Sequence, residues 1–398
     1  MQLKKFSTML SIYFTLAACG AMGAEVSPTI ATVPANIVKT EFPDFDYTIN
    51  DGLYATVTAL QAFKKPDIKN EKKFKLKNIE GFRKDIEVRA LMQDQPAPLV
   101  VIFLGLASKS KDPMARLWQA QLFEAGNSVM VFDSVFRPSF NERSCHGVCG
   151  NVDAEARVAA KVVNAFIHHS DVEGKTTKLY LLGASYGGIL ALNYARLAKQ
   201  GVIKYGPEKV LVFSPPISMR TSAVILDKFY DEDTRKASLF DLLEMSGHKP
   251  VEQGKKIPFE PWQMRAGIGY VFHGDLDDAI SVSKDVYKYE LPKSDDGKKR
   301  RCFTRFIEQV VFPYWKENKG VNTVEELWEH GNLEKLLKAC GDNVHAIITA
   351  DDPLNDATLL SLVKRDVPPA KLTVLPRGGH LGFLGTKWAR ERLIKFFE

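Results

Sequence analysis

The sequence predicts an α/β protein: a mostly parallel, doubly wound sheet with helices on both faces, interrupted once by a largely helical insertion. Three observations carry this. Short apolar runs alternate with helix-length segments through residues 99–213 and again through 344–398. Strands separated by helices and covered on both faces form parallel sheets. One run, Leu179-Tyr-Leu-Leu182, passes through Gly183-Ala-Ser185-Tyr-Gly187 into an Ala- and Leu-rich helical stretch. Residues 216–342 break the alternation at a single point, as a lid or cap over the carboxyl ends of the strands would.

The chain has 398 residues, 45% of them hydrophobic and 26% charged, ordinary values for a globular protein with one elaborated domain or two. Its beginning is different. Lys4 and Lys5 precede an apolar stretch, 6–18, too short for the roughly 20 residues that a membrane-spanning helix needs. Residues 1–18 therefore read as a secretory signal. Their removal takes two lysines and no acid from the formal charge of +6, leaving +4. So mild a charge, with no basic cluster interleaved with aromatics, argues against a nucleic-acid partner.

Leu16-Ala-Ala-Cys19 resembles the lipobox of bacterial lipoproteins, in which the cysteine becomes the lipidated first residue. The resemblance implies a protein of the bacterial cell envelope, held to the membrane through a lipid on Cys19. Gly20 resembles a signal for the outer membrane, facing the periplasm. Residues 19–45, rich in Ala, Thr, Val and Pro, read as a flexible tether. Four further cysteines suggest two disulfides in such a compartment, Cys145–Cys149 and Cys302–Cys340. A zinc half-site at Cys145-His-Gly-Val-Cys149 lacks a second pair of ligands at zinc spacing, so neither a metal nor another cofactor is expected.

The elements follow in order. Residues 74–79 and 86–92 alternate in polarity around Glu80-Gly81 and read as an antiparallel hairpin. Residues 99–104 form an apolar strand. Asp112-Pro113 then offers a helix cap with proline in the first turn, and Gly126 ends that helix. A strand at 128–132 precedes a helix capped by Asp153. The Gly183–Gly187 unit and a strand at 209–213 complete the first part of the core, 46–215. The insertion, 216–342, holds helical stretches at 222–230 and 324–339. Strands at 344–349 and 371–375 and a closing helix at 386–398 make the second part, 343–398.

A serine on so tight a strand-to-helix turn is held clear of the sheet above the helix N-terminus, which makes Ser185 a candidate nucleophile. Its hydroxyl needs a base, usually a histidine held in one tautomer by a carboxylate. Of eight histidines, only His380 lies in a Gly-rich loop directly after a late strand, Leu375-Pro-Arg-Gly-Gly-His-Leu-Gly. His146 is a rival that precedes the serine. Asp351, Asp352 and Asp356 follow the strand at 344–349, and any of them could orient His380. Asp352 stands immediately before the proline that stiffens the turn.

In this order, Ser185, Asp352 and His380 resemble the α/β-hydrolase superfamily, and Asp-Asp-Pro with Gly-Gly-His-Leu-Gly-Phe resembles its abhydrolase-domain esterases and phospholipases. The resemblance covers residues 74–398. It implies Asp352 as the acid and an oxyanion hole made by the N–H groups of Tyr186 and Leu106. One departure is Leu104-Gly105, where the family commonly has His-Gly. The expected activity is serine-dependent cleavage of a small ester or lipid. The alternatives are a phospholipase or lipase, an acyltransferase, and a binding lipoprotein without turnover; thioesterase and peptidase activity stay open, because the motif marks a mechanism and not a substrate. Apolar clusters of the insertion, among them 224–226, 306–307 and 310–312, either line an acyl pocket or hold the insertion's own helices together. The oligomeric state is not readable.

Overall fold

The computed structural model describes residues 42, 44–59, 63, 66–106, 108–144, 147–238, 241–242, 257–289, 302–318 and 320–398. Residues 1–18, expected to be a signal, Cys19, Cys145, His146 and Lys298-Lys-Arg-Arg301 lie outside them.

Eight strands form one sheet in the order β1-β2-β4-β3-β5-β6-β7-β8. They are β1 (Lys72–Leu76), β2 (Ile86–Leu91), β3 (Ala97–Phe103), β4 (Ser128–Val131), β5 (Thr176–Ala184), β6 (Lys209–Phe213), β7 (Val344–Thr349) and β8 (Leu372–Leu375). The hairpin pairs antiparallel, Phe74 opposite Val88, and β2 runs antiparallel to β4. Every other neighbour is parallel. With its helices on both faces this is the α/β-hydrolase fold.

The alternation of side chains along each strand divides the core in two. Leu99, Val101 and Phe103 of β3 face one hydrophobic layer, and Val100, Ile102 and Leu104 the other. Tyr180 and Leu182 of β5 likewise oppose Leu179 and Leu181. Both layers are apolar, which is why these strands read as unbroken hydrophobic runs. Helices α2 (Pro113–Glu124) and α10 (Lys387–Phe397) cover one layer with Trp118, Leu122, Trp388 and Leu393. Helices α3 (Val152–Ile167) and α4 (Tyr186–Lys199) cover the other with Val162, Phe166, Ile189 and Leu192. Leu181 is wholly buried, and truncating such a side chain to alanine costs about 2–5 kcal/mol. The cap of α3 is Asn151, whose side chain accepts from Ala154 N. Asp153, expected there, instead pairs with Arg157 and Arg196.

Before the sheet comes α1 (Gly52–Thr58), capped by Asp51 through Tyr54 N. Between β6 and β7 lies the helical insertion: α5 (Met219–Phe229), α6 (Pro261–Tyr287), a helical run at 303–317, α7 (Val324–Glu329) and α8 (Leu333–Ala339). Asp227 of α5 accepts from Phe303 N, Thr304 N and the Thr304 hydroxyl, which ties the run to α5. Ile307 and Val311 close over Gly150, and Trp315 Nε1 donates to Val148 O at 2.8 Å. The 306–311 cluster thus seals the insertion onto the 147–150 loop.

Neither expected disulfide forms. Cys340 is a buried thiol at the end of α8, donating to Leu192 O of α4 at 3.4 Å. Cys302 instead opens the run docked on α5 and α6, on a different part of the insertion from α8. Cys149 is likewise a buried thiol, so the staple to Cys145 is absent. Burial raises the pKa of both thiols, that of Cys340 to about 11. Among the described residues, no helix is long and apolar enough to cross a membrane.

Candidate active site

The carboxyl ends of β5, β7 and β8 bring three side chains together. Ser185 follows β5 with φ 51° and ψ −125°, outside the allowed regions for an ordinary residue. The turn is possible only because its neighbours lack side chains. A Cβ on Gly183 would lie 2.6 Å from Gly187 O, and one on Gly187 would lie 2.2 Å from Phe103 O. The reward is position: Ser185 stands over the first turn of α4, whose leading N–H groups have no partner within the helix.

His380 follows β8. Its ring bonds Asp352 Oδ2 through Nδ1 at 2.8 Å and Ser185 Oγ through Nε2 at 2.8 Å. In the tautomer that donates from Nδ1 to Asp352, Nε2 is left to accept from the serine hydroxyl. The other oxygen of Asp352 accepts from Leu354 N at 2.9 Å, which fixes the carboxylate plane. All three residues are nearly inaccessible: Ser185 is 6% exposed, Asp352 4% and His380 4%.

Tyr186 begins α4, so its N–H is one of the unsatisfied donors beneath the serine. Gly105, before Leu106, passes close enough that a Cβ there would lie 3.4 Å from Ser185 Cβ. The turn that leads into Leu106 therefore runs beside Ser185. Leu104 is buried in the core. Among the described residues no group of three or more His, Cys, Asp or Glu side chains could hold a metal ion.

The other two aspartates have separate tasks. Asp351 Oδ1 accepts from Gly379 N at 2.8 Å, bracing the histidine loop. Burial pushes its carboxyl up to about 6, against the pull of the Gly378 and Gly379 N–H groups. Asp356 caps α9 (Ala357–Asp366) through Thr358 N and Leu359 N.

Two side chains at the site carry no local signal in the sequence. Glu155 of α3 is fully buried; it accepts from Gly150 N at 2.6 Å and from the Tyr186 hydroxyl at 2.5 Å. Burial raises its pKa to about 7, with the two hydrogen bonds opposing. Phe272 of α6 sets its ring edge-on to the His380 imidazole, 6.4 Å between centroids.

No protein-family model matches this chain, and no curated protein matches it either. Several solved structures are similar at low identity. An esterase from Pyrococcus furiosus shares 11% identity at a TM-score of 0.48, over 84% of this chain and 96% of that one. Est1E from Butyrivibrio proteoclasticus shares 14% at 0.42, over 81% and 96%. A 2,6-dihydroxy-pseudo-oxynicotine hydrolase shares 14% at 0.42, over 82% and 67%. Likenesses this distant say nothing about substrate.

Proposed function

We propose that this protein is a serine hydrolase that cleaves carboxylic esters through an acyl-enzyme. A single observation carries the reading: one imidazole lies 2.8 Å from both the hydroxyl of a strained serine at a helix N-terminus and a buried carboxylate. Ser185 Oγ attacks the ester carbonyl while His380 Nε2 takes its proton. Asp352 holds the tautomer and stabilises the imidazolium. The oxyanion forms against the N–H groups of Tyr186 and Leu106, donors of a kind whose loss costs several kcal/mol of barrier. Collapse expels the alcohol, protonated by His380. Water, deprotonated by the same ring, then releases the acid and restores the hydroxyl.

Phe272 beside His380 favours an apolar group on the substrate. Phospholipase and acyltransferase readings use the same triad and differ in the alcohol or the acceptor. A binding protein without turnover would have no need of a strained serine.

The test is a panel of esters of graded acyl length, with a fluorophosphonate label. Ser185→Ala should abolish both hydrolysis and labelling and leave the thermal melt nearly unchanged. Labelling that persists in this variant would sink the assignment.

A further inference from the structure

His380 stands on a loop with no regular backbone to hold it. Gly378, Gly379 and Leu381 have φ of 136°, 55° and 70°, and an irregular loop of this kind keeps its shape only through outside contacts. Two backbone grips come from β7 and the turn after it. The Thr349 hydroxyl donates to Gly379 O at 2.8 Å, and Gly379 N donates to Asp351 at 2.8 Å. Neither touches the backbone of the histidine itself. The contact that does comes from α1, before the first strand: His380 N donates to Thr56 Oγ1 at 2.8 Å.

The Thr56 hydroxyl is itself fixed, donating to Gly52 O at 2.6 Å, so its oxygen presents a lone pair to the loop. The helix beneath it has little room to shift. Gly52 O lies 2.4 Å from where a Cβ on Gly379 would stand, and Ala55 O lies 2.5 Å from that of Gly382. On its other side, a Cβ on Gly52 would meet Asp351 O at 1.9 Å. Helix α1 is thus wedged between the histidine loop and the turn that bears the acid. It also packs against α6, the helix that carries Phe272.

We propose that Thr56 is a positioning residue for His380, holding its backbone so that Nε2 stays on Ser185 while Nδ1 stays on Asp352. The proposal rests on the triad reading above. A hydroxyl that merely filled space could be replaced by a methyl without kinetic effect. One that orients the base alters the rate of the chemical step and leaves substrate binding alone.

The experiment compares Thr56→Val, which keeps the shape and removes the acceptor, with Thr56→Ser, which restores it. The measurements are kcat and KM on a soluble ester, the fluorophosphonate labelling rate, the thermal melt, and the low-field proton resonance of the His380–Asp352 hydrogen bond. Thr56→Val should lower kcat roughly tenfold with KM unchanged, the effect expected from one lost hydrogen bond. Labelling should slow in parallel, the low-field resonance should shift or broaden, and Thr56→Ser should recover all three. An unchanged kcat and resonance in Thr56→Val would overturn the proposal. So would a loss that serine does not restore, or one explained by melting below the assay temperature. If the wild-type protein hydrolyses no ester, the functional reading fails, and the resonance still decides the role of Thr56.

Discussion

At the scale of single residues, three aspartates in one short loop show how position assigns chemistry. Asp352 faces the imidazole, Asp351 the backbone of the histidine loop, and Asp356 the first turn of a helix. Substitution by asparagine separates them. Asp352→Asn should lower kcat by roughly four orders of magnitude, because the amide favours the wrong tautomer of His380. Asp351→Asn keeps an oxygen for Gly379 N, so its kcat should stay within about tenfold of wild type, the loss of part of one hydrogen bond. Kinetics on the two variants decide the matter, and a larger loss at Asp351 would reverse the assignment of the acid. Asp352 could be picked out in the sequence because a proline follows it and the motif resembles a known branch. The task of Asp351 could not, since its partner is a backbone amide 28 positions away.

At the scale of elements, what could be read was whatever expresses itself locally. The central strands are buried on both faces and so read as continuous apolar runs. The serine turn announces itself because no side chain fits at Gly183 or Gly187. Helix α1 carries no comparable sign: its importance lies in contacts with a loop more than 300 residues later. The cysteine pairing failed for a related reason, since an even count says nothing about whether two sulfurs face each other. Of the insertion's apolar clusters, Ile307 and Val311 pack against Gly150, while Phe272, in a stretch without a motif, lies against the histidine. Ser185 and His380 are almost inaccessible, and the Phe272 ring of α6 lies edge-on against the imidazole. Phe272→Ala should therefore speed labelling by a bulky fluorophosphonate roughly tenfold, a barrier change of about 1.4 kcal/mol. A small fluorophosphonate should gain less. Equal gains for the two probes would remove Phe272 as the barrier.

At the scale of the whole molecule, three buried carboxyls make stability depend on pH in an unusual direction. Burial lifts Glu155 from 4.5 to about 7, Asp275 from 3.8 to about 7 and Asp351 from 3.8 to about 6. Asp275 keeps its raised value although Arg137 lies 3.5 Å away, because that pair is long and desolvation outweighs it. A carboxyl raised in the folded state binds its proton more tightly there than in the unfolded chain. Between the two pKa values the folded protein holds more protons, so stability falls as pH rises from about 4 to about 7 and then levels off. Asp133 and Asp153, lowered chiefly by hydrogen bonds from serines and arginines that overcome their burial, act oppositely, and their contribution disappears only as pH falls below the usual aspartate range. These carboxyls should therefore draw the melting temperature down as pH rises toward 7, opposed in that range by His330 and His345, which burial holds below the usual histidine value. Glu155, wholly buried and bonded to the Tyr186 hydroxyl and Gly150 N, is the carboxyl of the three that can be probed most directly. Glu155→Gln removes the titration while leaving an oxygen for Gly150 N and an amide for Tyr186. Its melting temperature should vary visibly less than wild type between pH 4.5 and 8. Parallel curves for the two proteins would mean that Glu155 ionises at the same pH whether folded or not, and that its burial beside Tyr186 is compensated by something other than a retained proton.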